Sequence, residues 1–151
     1  MSARRLPGTA VRVRRGQRRD LACVRVMLGM DDAPDRERQL RRQLDDLGSD
    51  VYVAEAEGGE IVGVVAIAYL RSLRQGRWSA VLDAARSPGE AGAPLLDQLI
   101  AFAEERARKR GCRRLSAWIE PDDGALRAAL TSRGYHAGEV MTAELGLVEG
   151  L

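Results

Sequence analysis

The sequence predicts an α+β domain whose central sheet is mixed, mostly antiparallel and flanked by helices. Three observations carry that class. The stretch VYVAEAEGGEIVGVVAIAYL holds two strand-like runs around Gly58-Gly59, a tight hairpin signal. A further apolar run, Trp78 to Ala85, follows the polar connection RSLRQGR. After Pro94, residues Leu95, Leu96, Leu99, Ile100, Ala103 and Ala107 recur at helical spacing. The chain of 151 residues suffices for one domain with a real core, and 45% apolar with 30% charged residues is a globular balance.

In chain order, residues 1–10 read as a flexible basic tail. Val11 to Arg15 alternates apolar and basic residues as a short edge strand does. Asp20, or the polar residues before it, can cap a helix in which Leu21, Val24, Met27 and Leu28 share a face. Gly29 ends that run. Pro34 opens a second helix with Leu40, Leu44 and Leu47 along one side, and Gly48 stops it. Ile61 to Leu70 is almost continuously apolar, which marks a strand covered on both faces.

The helix after Pro94 has Asp97 near its positive end and Arg108, Lys109 and Arg110 at its negative end, with Gly111 as C-cap. Arg114 to Glu120 alternates as a strand. Asp122 and Asp123 can cap a short helix bearing Leu126, Ala129 and Leu130, stopped by Gly134, and HAGEVMTAELGL reads as a last strand. The predicted order is β-α-α-β-β-β-α-β-α-β. No repeat or linker interrupts it.

Bulk properties narrow the function. No apolar run is long enough to span a membrane, and the start lacks a secretory h-region, so a cytoplasmic protein is expected. Cys23 and Cys112 lack the spacing of a zinc site or disulfide framework, so two reduced thiols and no metal are expected. Seven arginines precede the first acid, Asp20, and leave a charge of about −5 for the remainder. No aromatic residue interleaves them, which disfavours a nucleic-acid partner.

The stretch AVLDAARSPGEAGAPLLDQLIAFAEERARKRG combines a strand, a glycine-bearing loop and a capped helix, a geometry that aims backbone N–H groups at an anion. With VRVRRGQRRDLACV, VYVAEAEGGEIVGVVAIA and DDGALRAALTSRGY, it resembles the GNAT superfamily of acyl-CoA-dependent N-acetyltransferases, from about Val11 onward. The resemblance implies the acyl-CoA N-acyltransferase fold, acetyl-CoA as acetyl donor, and an amine of a small molecule or protein as acceptor. It leaves room for a homodimer. The family's cofactor loop reads Arg or Gln, two residues, Gly, any residue, then Gly or Ala. Here the window is Ser87, Pro88, Gly89, Glu90, Ala91, Gly92, and only Gly92 matches.

Carried over residue by residue, the resemblance places the donor along Leu82, Ala84, Arg86, Ser87, Gly89, Ala91, Gly92 and Ala93. Candidate bases are Asp83 and Glu120, at the ends of the two strands that would part around it. The family's tyrosine acid falls on Leu130, which cannot donate a proton. Tyr135 sits at an apolar packing position, Thr131 and Ser132 have no stronger claim, and His136 reads as a loop histidine. Asp31 and Asp32 can attract a cationic amine or simply introduce the Pro34 helix, and Trp78 and Trp118 can line a cleft or pack on the sheet. The alternative to an enzyme is a binding module of the same fold with weak or no CoA affinity, motivated by Ser87, Pro88, Glu90 and Leu130.

Overall fold

The computed structural model describes residues 2–74, 76–89 and 92–138. Among these residues six strands form one sheet in the order β1-β2-β3-β4-β5-β6: Arg4–Arg5, Arg12–Arg15, Ser49–Glu55, Ile61–Ser72, Arg77–Arg86 and Leu115–Ala117. All neighbours are antiparallel except β5 and β6, which run parallel with α3 crossing between them. The helices are α1 (Leu21–Met27), α2 (Pro34–Asp45), α3 (Gly92–Lys109) and α4 (Gly124–Ser132). This is the expected α+β class, with the continuously apolar β4 in the middle of the sheet.

The alternation of β4 divides the core in two. Val65, Ile67 and Tyr69 join Leu82, Leu99, Ile100, Phe102 and Leu130 beneath α3 and α4. Val64 and Ala66 meet Leu21, Val24, Leu40, Val51 and Val53 beneath α1 and α2. A fully buried aliphatic side chain is worth about 1.5–3 kcal/mol, so both faces contribute heavily. The long helix ends where Gly111 turns left-handed at φ +78, and the Cys112 N–H donates back to the Ala107 carbonyl at 2.9 Å.

Under the C-terminal half of α3 lies a fully buried carboxylate, Asp50. The Tyr69 hydroxyl donates to its Oδ2 at 2.9 Å, and nitrogens of Arg15, Arg110 and Arg106 approach within 3.4, 3.6 and 3.9 Å. The Arg110 guanidinium also stacks 4.4 Å from the centre of the Tyr69 ring.

Several expectations need correction. The opening residues are not a free tail: Arg4–Arg5 pairs with β2, Leu6 is buried, and the Gln98 amide donates to the Pro7 carbonyl at 2.8 Å. Burying Leu6 against the α3 face offsets the cost of ordering the arm. Asp20 makes no side-chain cap to α1. Instead it is buried, takes a two-point contact from Arg14 at 2.7 and 2.9 Å, and accepts the Gln17 N–H at 2.8 Å in a preceding 3-10 turn. Burial pulls its pKa upward, but the Arg14 and Gln17 hydrogen bonds outweigh that and hold it below the usual carboxylate value. The strand read over Arg114 to Glu120 shrinks to Leu115–Ala117, because beyond that point β5 and β6 no longer pair. The last predicted strand falls largely on residues 139–151, outside the described residues.

Candidate active site

The site is built where β5 bulges against β4 and parts from β6. On the β4 side the register slips: Leu82 faces Ile67 and Ala84 faces Ala66, so Asp83 is an extra, bulged residue. On the β6 side pairing stops at Leu82–Ala117. From Asp83 to Arg86, β5 has no β6 partner among the described residues, so one edge of it is left without a strand beside it.

Side-chain direction follows from the register. Leu82, Leu115, Ala117 and Ile119 all lie on the α3–α4 face. Asp83 lies on the opposite face, where the Gln43 amide of α2 donates to its Oδ2 at 3.4 Å, and Ala84 packs beside it against the α1–α2 cluster. Asp83, Trp118 and Glu120 are all exposed, Asp83 at the bulge of β5 and the other two in the segment that follows β6. Gln43 has no mark in the sequence, since only the packing of α2 carries it to the bulge.

The loop into α3 is tightly folded. The Ser87 hydroxyl donates to the Val62 carbonyl at 3.1 Å, which ties the loop to the start of β4. Arg86 is exposed and donates to the Met27 carbonyl at 3.4 Å. Gly92 is buried beneath the loop, and its N–H closes a turn onto the Gly89 carbonyl at 3.0 Å. Pro88 and Pro94 have no N–H to offer. Ala93 keeps an N–H without an acceptor among the described residues; Glu90 and Ala91 lie outside them. For a CoA thioester, the strand edge suits the amide-bearing pantetheine arm, whereas the amide cradle for the pyrophosphate at the helix start is sparse among the described residues.

Other expected participants are engaged elsewhere. Asp32 pairs with Arg25, and Asp31 lies 3.6 Å from Arg36 while accepting the Ala33 N–H, so these acids serve the start of α2. Leu130 is 2% exposed and belongs to the core. The Thr131 and Ser132 hydroxyls donate to carbonyls of their own helix. Tyr135 is half-buried and donates to Glu104 at 3.1 Å. Burial, with the Glu104 charge, raises its phenol well above the usual value. His136 is exposed, as is Trp78.

Comparisons agree with this architecture. No curated protein matches the chain. Among solved structures, a transcriptional regulator from Bacillus halodurans C-125 is 24% identical and superposes with a TM-score of 0.77, covering 89% of this chain and 99% of the other. A ribosomal-protein-alanine N-acetyltransferase from Brucella melitensis biovar Abortus 2308 is 16% identical, with a TM-score of 0.72 over 91% and 100%. An aminoglycoside 6'-N-acetyltransferase from Acinetobacter baumannii is 12% identical, with a TM-score of 0.73 over 91% and 99%. At these identities the likeness is one of fold. The acetyltransferase (GNAT) family model, however, matches residues 21–135, most of the chain and all of β5, β6 and the loop into α3, and the chain belongs to that family.

Proposed function

We propose that the protein transfers an acetyl group from acetyl-CoA to the amine of a small molecule or protein. The observation that supports this reading best is the unpaired edge of β5 beyond Leu82, with the bulge at Asp83. An extended pantetheine arm can add to that edge as a short strand, exchanging amide hydrogen bonds with the backbone around Ala84. The thioester would then lie at the bulge, with Asp83 and Glu120 as the available bases. There the amine nitrogen attacks the carbonyl carbon, the N–C bond forms, and the C–S bond breaks. The amine proton passes to a base or water, and the thiolate takes a proton from solvent. A thiol with a pKa of about 8.5 leaves without a dedicated acid, so Leu130 is compatible with turnover.

Calorimetric titration with acetyl-CoA tests the reading, and absence of both heat and thermal shift at millimolar concentration removes it. A second reading, a binding module that has lost the donor, is favoured by the Gly92 N–H being spent on Gly89 and by Ser87 being tied to Val62. It predicts that Ser87→Arg with Glu90→Gly creates CoA affinity lacking in the parent.

A further inference from the structure

We infer that the protein docks peripherally on an anionic lipid surface, through the pole of the fold where the β4–β5 hairpin turns and α3 ends. This pole lies at the opposite end of β5 from the candidate active site, and the inference is independent of the proposed reaction. Backbone contacts assemble it. Leu70 pairs with Ser79, Arg71 with Trp78 and Ser72 with Arg77, and Leu73 and Arg74 lie in the turn beyond. The Tyr69 N–H donates to the Gly48 carbonyl at 2.9 Å, which brings Leu47 alongside. The Ala80 N–H donates to the Arg114 carbonyl at 2.9 Å and the Arg113 N–H to that of Trp78 at 3.4 Å, which adds the segment after α3.

Apolar tips and cationic side chains meet at this pole. Leu47, Leu70, Leu73 and Trp78 are four of the six large apolar side chains left exposed among the described residues, Leu73 completely and Leu47 by 84%. Adjacent cross-strand pairs face opposite ways, so Leu70 and Trp78 flank the hairpin on its two sides behind Leu73. Residues 70–79 and 106–114 carry three and six basic side chains and no acid. Arg71, Arg74, Arg77, Arg113 and Arg114 are exposed and outside every ion pair among the described residues. The acids nearby do not offset them: Asp50 is buried and shared by Arg15, Arg106 and Arg110, Asp45 pairs with Arg18, and Asp46 accepts the Gly48 N–H. A bilayer surface answers both features at once. Leucines sink into the acyl boundary, a tryptophan sits at headgroup depth, and the guanidiniums meet lipid phosphates. Nucleic-acid phosphates match the arginines alone and leave Leu47 and Leu73 in water, while a second copy sets arginine against arginine. No helix among the described residues is long and apolar enough to cross a membrane, and the contact inferred is a surface one.

The test uses the Trp118→Phe variant, which leaves Trp78 as the only tryptophan of the two in the chain. The full chain is mixed with vesicles of phosphatidylglycerol and phosphatidylcholine in about equal parts, or of phosphatidylcholine alone, and followed by co-sedimentation and by Trp78 emission. Binding to the anionic vesicles should be at least about tenfold tighter, blue-shift the emission and weaken in high salt. Leu73→Glu, and separately Arg74→Glu with Arg77→Glu, should each weaken it about tenfold with the melting temperature unchanged. The same charge change at Arg5 and Arg12, which pair with each other at the far end of the sheet beside Glu55, should leave it unaltered. No binding to anionic vesicles, equal binding to both lipids, or a loss that the Arg5 and Arg12 variant reproduces overturns the inference. So does a nucleic-acid duplex that binds in place of vesicles and is indifferent to Leu73→Glu, or self-association through Leu73 without affinity for lipid.

Discussion

Ser87 and Gly92 are in such close contact that a β-carbon on Gly92 would run into the Ser87 carbonyl. The loop therefore closes over the first residue of α3, and the backbone at both positions is held by the same packing.

Gly92→Ala tests that closure. Alanine gains about 1 kcal/mol over glycine in a helix. The clash is with backbone, however, and moving backbone in a packed site costs about 1–3 kcal/mol. The variant should melt lower than the parent and bind acetyl-CoA more weakly, as thermal unfolding with and without ligand will report. An unchanged melting temperature would contradict the packing.

Asp50→Asn keeps an acceptor for the Tyr69 hydroxyl but removes the only carboxylate that, among the described residues, pairs with Arg15, Arg106 and Arg110. Breaking a buried ion pair from one side costs about 3–5 kcal/mol, and partial exposure of the arginines lowers this to about 2–3. Urea unfolding should show that loss, and it should grow in low salt as the guanidiniums repel.

Arg133 donates to both oxygens of Glu104 at 2.9 and 2.8 Å and to Asp97 at 3.0 Å. The Arg133 hydrogen bonds, against some burial, hold the Glu104 carboxyl below its ordinary value. A depressed folded pKa stabilises above the unfolded value and is lost as pH falls through the folded one. Arg133→Ala should therefore cost about 1–2 kcal/mol near neutrality, and the gap to the parent should narrow below pH about 4.5. Unfolding curves across pH 3 to 7 measure it. A gap that widens in acid would be the wrong sign.

Leu130→Tyr restores the residue type that the family resemblance places at this position. Because Leu130 is 2% exposed within the α3–α4 core, the larger ring overpacks it at a cost of about 1–3 kcal/mol. Stability should fall with no gain in kcat, measured by thermal unfolding and by release of free thiol.

What the sequence disclosed follows from the range of the interactions involved. β4 and α3 were legible because their patterns are local: an unbroken apolar run for one, and helical spacing closed by Gly111 for the other. The short helix after Asp123 was legible too, since its cap reaches only to Leu126. The bulge at Asp83 is a property of pairing between two strands, and no residue type in β5 announces it. Arg14 and Asp20 are six residues apart, beyond the reach of any capping rule, and the two-residue β1 is too short for periodicity. The Asp50 cluster left a trace that was readable in principle: Phe102, Arg106 and Arg110 stand four apart, so the two arginines continue a buried row of α3.

The strand made by Arg4–Arg5 has a consequence for how the chain behaves in company. It is two residues long and carries only positive side chains, so it presents the outer margin of the sheet as a poor template for a second copy. Trimming it away would uncover the alternating Val11–Arg15 segment and empty the seat of Leu6. Such a shortened protein would expose a ready-made zipper, and clumping in concentrated solution is the behaviour to watch for.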